Sequence, residues 1–166
     1  MLNKKNVILA LLIIFLMTPL LQAEDFESPE AFTEYIYANY SEEDFNEVYD
    51  NFAAELKRIL EKNEYLEFQE ENFEKYNLKY SEIEVGQAEE VDFDKIKDKF
   101  SYADDFGRYF KLQVNYLLEF DRFGRREEES EKKVYLRKIK DDFQIFWDHE
   151  SALKDDKAAD SDDQDE

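Results

Sequence analysis

Few side chains in this sequence could carry out acid–base or nucleophilic catalysis. His149 is the only histidine, and it stands between Asp148 and Glu150, where it could pair with either carboxylate. It lies where the last predicted strand ends and an acidic tail begins, a position typical of a solvated residue. The sequence shows no Ser–His–Asp order, no phosphate-binding loop and no dinucleotide fingerprint. We therefore predict no catalytic residues.

Metal sites are disfavoured for a similar reason. With one histidine and no cysteine, the chain lacks the nitrogen and sulfur ligands that zinc sites use. Residues 160–165 are dense in carboxylates, but they lack the turn glycine and the bidentate glutamate of an EF-hand loop. We predict neither a metal nor any other cofactor.

The charge of the chain limits its partners. The formal net charge is −21 at pH 7, whereas nucleic-acid-binding proteins present a basic footprint to phosphates. Nucleic acid is therefore excluded as a partner. An acidic surface could instead attract a basic protein.

The N-terminus has the pattern of a secretory signal peptide. Lys4 and Lys5 precede the uncharged apolar residues 7–17, and Pro19 and a small residue, Ala23, follow. The apolar run is short for a transmembrane helix, which needs about 20 residues, although an uncleaved anchor stays open. We predict a protein that is exported to the periplasm or secreted and that has no stable membrane anchor after cleavage.

The rest of the chain divides into two parts. After the signal peptide, residues 1–23, we predict a single domain over residues 24–153. Residues 154–166 contain seven acids, two lysines and no bulky apolar side chain, and we predict a disordered tail there. Without cysteine the domain forms no disulfides, so packing must stabilise it.

Helical signals fill the first half of the domain. Ser28 and Pro29 read as an N-cap and a first helical residue, and Ser41, followed by acidic residues, reads as a second N-cap. Apolar residues then recur at helical spacing. Residues 64–80 are acidic and ambiguous between a further short helix and a covering segment.

The pattern then changes to alternation. Residues 83–93 alternate, with Gly86 as the expected site of a bulge. Residues 108–121 form the clearest strand, with one apolar and one polar face.

The C-terminal part of the domain reads as a hairpin. We predict a charged loop over residues 123–131 and a strand over residues 134–139. A tight turn at residues 140–142 and a partner strand at residues 143–147 complete it. The fold class is therefore α+β, with N-terminal helices packed on a curved antiparallel sheet.

The apolar face of the long strand faces the interior of the domain, and its residues are the candidates for any pocket there. Tyr116 could donate a hydrogen bond there, and Trp147, which faces opposite to Phe146, could close it. The candidate pocket residues are Phe110, Leu112, Val114, Tyr116, Leu118 and Trp147.

The order of elements and the last hairpin, YLRKIKDDFQI at residues 135–145, resemble the nuclear-transport-factor-2-like superfamily, the ketosteroid-isomerase-like cone. The hairpin departs from that pattern because Asp142 stands where a turn glycine is usual and Phe143 where tryptophan is common. The resemblance implies a curved sheet that wraps a helix and leaves an apolar pocket.

These observations favour an exported, non-catalytic binding or interaction module. Its working surface would be the aromatic pocket or a sheet face, and its partner a small apolar ligand or a protein. The sheet also offers a surface for homodimerisation. Two alternatives stay open: a small isomerase- or dehydratase-like enzyme of the same fold, and an acidic partner of a basic protein.

Overall fold

A computed structural model describes residues 26–121 and 124–153. The predicted signal peptide and the predicted acidic tail lie outside the described residues. Within the described part, no helix is both long enough and apolar enough to cross a membrane.

The first helix begins as predicted. α1 spans Pro29–Ser41, and the backbone N–H of Ala31 donates to the Ser28 side chain at 3.1 Å. Pro29 occupies the first turn, where its missing N–H costs nothing. The buried side of α1 carries Phe32 and Ile36 and faces the sheet.

The second helix does not begin at Ser41, so that part of the prediction is wrong. Ser41 ends α1, and its hydroxyl donates to the Ala38 carbonyl at 2.8 Å. α2 spans Phe45–Asp50, with Asp44 as the N-cap. The chain reverses at Glu43, whose φ of 62° is left-handed, and this turn moves the helix start along the chain.

The ambiguous acidic segment is a helix. α3 spans Lys62–Tyr76 and buries only a narrow stripe at four-residue spacing, Tyr65, Gln69 and Phe73. The polar Gln69 in this stripe hides the helical period in the sequence. A short 3₁₀ turn at Leu56–Arg58 connects α2 to α3.

The second half is a curved antiparallel sheet, so the α+β fold class is confirmed. The strands are β1 (Lys79–Val85), β2 (Glu89–Val91), β3 (Arg108–Asp121), β4 (Arg125–Ile139) and β5 (Asp142–Phe146). The order is β1-β3-β4-β5, and β2 pairs with β3. The predicted bounds of β3 are confirmed.

Two details of the strand prediction are wrong. The segment at residues 125–131 is not a loop but the first half of β4, paired in register with β3 from Arg125 opposite Asp121. Most side chains of this half are exposed, so no apolar alternation marks it. Residues 83–93 are not one strand, and the register irregularity lies between Ser81 and Glu84 rather than at Gly86.

Each face of the sheet has its own core. The inner face, which carries Leu112, Val114 and Leu136, packs against α1, α2 and α3. The outer face, which carries Tyr109 and Arg137, is covered near β5 by α4 (Phe93–Lys97) and the loop at residues 98–107.

Candidate ligand-binding cavity

The predicted pocket residues separate into two groups. Phe110, Leu112 and Val114 are buried in the inner core, and none of them lines the cavity between the helices and the inner face. Leu118, farther along β3, is only partly buried and does not line it either. Tyr116 and Trp147 do line a cavity between the helices and the inner face.

The centres of water molecules can occupy a volume of about 80 Å³ inside the cavity. By this measure one water molecule needs roughly 10–15 Å³. The cavity therefore has room for about six waters. Helices α1, α2 and α3 and four strands contribute its lining: Ile36, Tyr37, Tyr40, Val48, Phe52, Tyr65, Gln69, Tyr80, Tyr116, Lys132, Lys133, Val134, Ile145, Phe146 and Trp147.

Five tyrosines from four elements form the polar part of this lining, and we call them the tyrosine cluster. Four of the five rings form a chain of edge-to-face or tilted contacts: the centroids are 5.0 Å apart for Tyr40 and Tyr80, 5.1 Å for Tyr80 and Tyr116, and 6.2 Å for Tyr37 and Tyr116. The members are Tyr37, Tyr40, Tyr65, Tyr80 and Tyr116. Only Tyr116 was suggested by the sequence.

Hydrogen bonds satisfy one side of the cluster. The Tyr40 hydroxyl donates to Oε1 of the buried Gln69 at 2.8 Å, and Gln69 also interacts with the Tyr65 hydroxyl. On the other side, the hydroxyls of Tyr37 and Tyr116 have no hydrogen-bond partner among the described residues. The cavity therefore contains hydroxyls that are free to bind.

The tyrosines of the cluster are uncharged near neutral pH. Burial raises the pKa of Tyr37, Tyr40 and Tyr65 well above the ordinary value. Burial, together with the neighbouring Tyr116, raises the pKa of Tyr80 to about 12. These hydroxyls can donate hydrogen bonds but do not act as bases. No aspartate or glutamate of the described residues lines the cavity, so the lining offers no carboxylate base.

Trp147 forms one aromatic wall. Its ring lies parallel to that of Phe52, with centroids 6.0 Å apart and 7° between the planes, and meets Tyr65 edge to face at 5.3 Å. Phe146, the preceding residue, belongs to the outer core, so the two aromatics face opposite sides as predicted. Trp147 is the only tryptophan of the chain and can serve as a reporter of the cavity.

The outer face holds a buried ion pair that the sequence did not predict. Nη1 and Nη2 of Arg137 donate to the two carboxylate oxygens of Glu55 at 2.5 and 2.7 Å, and Nη2 donates to Oε1 of Gln144 at 2.6 Å. The ring of Phe106 covers the guanidinium at 3.8 Å. Only Nε of Arg137 has no partner among the described residues. This group joins the segment after α2 to the sheet.

His149 lies away from the cavity and does not pair with Asp148. The Asp148 carboxylate accepts hydrogen bonds from Ser151 and lies 3.9 Å from the Lys99 ammonium. His149 Nδ1 is buried without a partner among the described residues, and the ring meets Tyr102 edge to face at 5.7 Å.

An acidic groove lies over β1, β3 and β4 where Asn115 pairs with Glu84 and Glu131. Its carboxylates come from Glu82, Glu84, Glu129 and Glu131. Within the described ranges, no group of three or more acidic or histidine side chains is arranged to hold a metal ion.

Comparison with known proteins adds little. The chain matches no protein-family model, and no curated protein matches it significantly in sequence. Among solved structures it is similar to a SEC-C motif containing protein from Rhodopseudomonas palustris, at 17% identity over 72% of this chain and 76% of that chain, with a TM-score of 0.44. This likeness is too weak to assign a fold family or a function.

Proposed function

We propose that the protein is a non-catalytic binding module that holds a small, mainly apolar ligand in the cavity between the helices and the inner face. The observation that carries this proposal is the Tyr37 hydroxyl, which belongs to a buried residue of the cavity lining and has no hydrogen-bond partner among the described residues. A hydrogen bond typically contributes about 0.5–1.5 kcal/mol. A ligand that accepts a hydrogen bond from Tyr37 would gain this free energy.

The composition of the lining supports the same function. Ligand sites are mostly apolar concavities with a few polar groups that fix orientation, and here aromatic walls surround the hydroxyls of the tyrosine cluster. The resemblance to the nuclear-transport-factor-2-like superfamily implies a pocket of this kind. An isomerase or dehydratase has less support, because no carboxylate of the described residues lines the cavity.

Trp147 fluorescence tests the proposal. We expect small aromatic ligands to change this emission saturably, and Tyr37→Phe to weaken the binding. Tyr49→Phe is the control, because Tyr49 is equally buried at 7% exposure but does not line the cavity. Emission that no small ligand changes, or equal effects of the two variants, would contradict the proposal.

A second candidate function is the binding of a basic protein, and the acidic groove favours it. Four glutamates line this groove, and such a complex would weaken as salt rises because exposed charges are screened beyond about 8 Å at physiological ionic strength. Binding of a lysine-rich peptide would be compared between the protein and Glu129→Gln/Glu131→Gln at low and high salt. Affinity that depends on neither change would exclude this candidate.

We also propose that the protein is exported after cleavage at Ala23, from the pattern of residues 1–23. N-terminal sequencing of the protein recovered from its native host should read from Glu24. An intact Met1 in a membrane fraction would contradict export as a soluble protein.

A further inference from the structure

The charged residues of the cavity lining are both lysines. Lys132 and Lys133 belong to the lining, and no acidic residue of the described ranges does. Lys132 stands opposite Val114 in the β3–β4 register, and Lys133 stands opposite Gln113. Directly paired residues of an antiparallel sheet share a face. The side chain of Lys132 therefore lies on the inner face, whereas that of Lys133 lies on the outer face.

Lys132 has no anionic partner among the described residues. No carboxylate of the described residues lies within 4.0 Å of its ammonium. Asp148 is close enough to raise the pKa of Lys132 electrostatically. Its carboxylate, however, already accepts a hydrogen bond from Ser151 and pairs with the Lys99 ammonium. Desolvation and the charge of Lys99 lower the pKa of Lys132, although the residue as a whole is exposed. An anion beside this ammonium would stabilise its charged form.

We infer that the ligand is a small organic anion, with its carboxylate at Lys132 and its apolar body among the aromatic side chains of the cavity. This inference rests on the proposed function, because it names the ligand class of the same site. In liquid water each molecule takes up about 30 Å³, so a ligand that replaces about six waters has the size of a substituted single ring. Benzoate is therefore a fitting probe.

The net charge of −21 does not oppose this ligand class. Charges farther away than about 8–10 Å are largely screened at physiological ionic strength, so the groups that line the site decide its preference. Those groups are neutral hydroxyls, one amide and lysine.

Isothermal titration calorimetry with three matched probes tests the inference. Benzoate, benzyl alcohol and benzylamine share one ring but carry a negative, a neutral and a positive group. We expect benzoate to bind most tightly and Lys132→Met to weaken benzoate binding by about tenfold or more, as the loss of a charge-assisted hydrogen bond predicts. Lys111→Met removes the same charge on the outer face, at a residue that does not line the cavity, and should keep the affinity within about twofold.

Each outcome of this experiment decides one of the two proposals. Equal binding of benzoate and benzyl alcohol, or equal effects of the two lysine variants, would overturn the anion inference while the binding function stands. No binding of any probe would overturn the proposed function and the inference with it. Lys132→Arg keeps the charge and should keep the benzoate preference. The probe series on the unaltered protein distinguishes these outcomes even where a variant does not fold.

Discussion

On the outer face of the sheet, both Nη atoms of the buried Arg137 donate to protein acceptors on Glu55 and Gln144. On the inner face, the buried Tyr37 hydroxyl finds no acceptor among the described residues. The hydrogen bonds of Arg137 are made within the protein, and they fix the packing of a loop on the sheet. The Tyr37 hydroxyl leaves hydrogen-bonding capacity beside a cavity. The difference separates a structural polar group from one that is available to a ligand.

Breaking the buried ion pair should have the largest effect on stability. Arg137→Met leaves the Glu55 carboxylate buried without its partner, which typically costs about 3–5 kcal/mol. Urea unfolding followed by circular dichroism measures this loss. The control is Arg108→Met, because Arg108 pairs with Glu90 in the same two-bond geometry but both side chains are exposed. An exposed pair contributes about 0–1 kcal/mol. Equal losses in the two variants would show that Arg137 is not a structural centre of the outer face.

Alkaline pH should destabilise the inner face. The pKa of Tyr80 is raised from 10.0 to about 12 in the folded protein, so the folded state holds its proton more tightly than the unfolded state. The resulting stability is fully present below pH 10 and is lost as pH rises towards 12. The expected loss is about 2–3 kcal/mol, since one pKa unit corresponds to about 1.4 kcal/mol. Unfolding curves measured from pH 8 to pH 12 check this dependence. A free energy of unfolding that stays constant up to pH 12 would contradict the burial of Tyr80.

Gly107 tests the packing beneath Arg137. Its φ is 91°, and a Cβ there would lie 2.6 Å from the Lys138 carbonyl oxygen and 3.1 Å from Arg137 Cγ. Gly124 also has a positive φ, but no atom lies within 4 Å of its Cβ position. We expect Gly124→Ala to cost about 1–2 kcal/mol from backbone conformation alone. Gly107→Ala should cost at least about 1 kcal/mol more, because overpacking adds to that strain. Melting temperatures compare the two variants, and equal shifts would refute the close contact.

The smallest expected effect separates satisfied from unsatisfied hydroxyls. The Tyr49 hydroxyl donates to the Leu60 carbonyl at 2.7 Å, whereas the Tyr37 hydroxyl has no partner among the described residues. Tyr49→Phe should therefore cost about 1 kcal/mol. Tyr37→Phe should stay within about 0.5 kcal/mol of the unaltered protein, since it removes no protein hydrogen bond. Urea unfolding of the two variants side by side decides this. A larger loss for Tyr37→Phe would assign that hydroxyl a structural role.

The sequence predicts local features of this fold well. The alternation in β3 and the cap at Ser28 rest on neighbouring residues, and both are found where expected. The strand at residues 125–131 was missed because most of its side chains are exposed, so the apolar pattern carries no signal there. α3 was ambiguous because a buried glutamine interrupts its apolar stripe.

The candidate site could be predicted only in part. Tyr116 and Trp147 follow from the inward face of the sheet, but the rest of the tyrosine cluster comes together from α1, α3 and β1. The Arg137–Glu55 pair joins residues 82 positions apart. Arg137 also lies on the face of β4 that a sequence pattern assigns to solvent, because α4 and its loop, which cover that face, leave no signal in β4 itself.

The most direct test of the central claim is an NMR titration that observes the tyrosine and tryptophan rings while benzoate, benzyl alcohol or benzylamine is added. We predict saturable shifts at Tyr37, Tyr80, Tyr116 and Trp147, which line the cavity, and no shifts at Tyr109, which lies in the outer core. Rings of the cavity that stay unshifted at saturating concentrations of all three probes, or shifts centred on Tyr109, would contradict a binding function for the inner face.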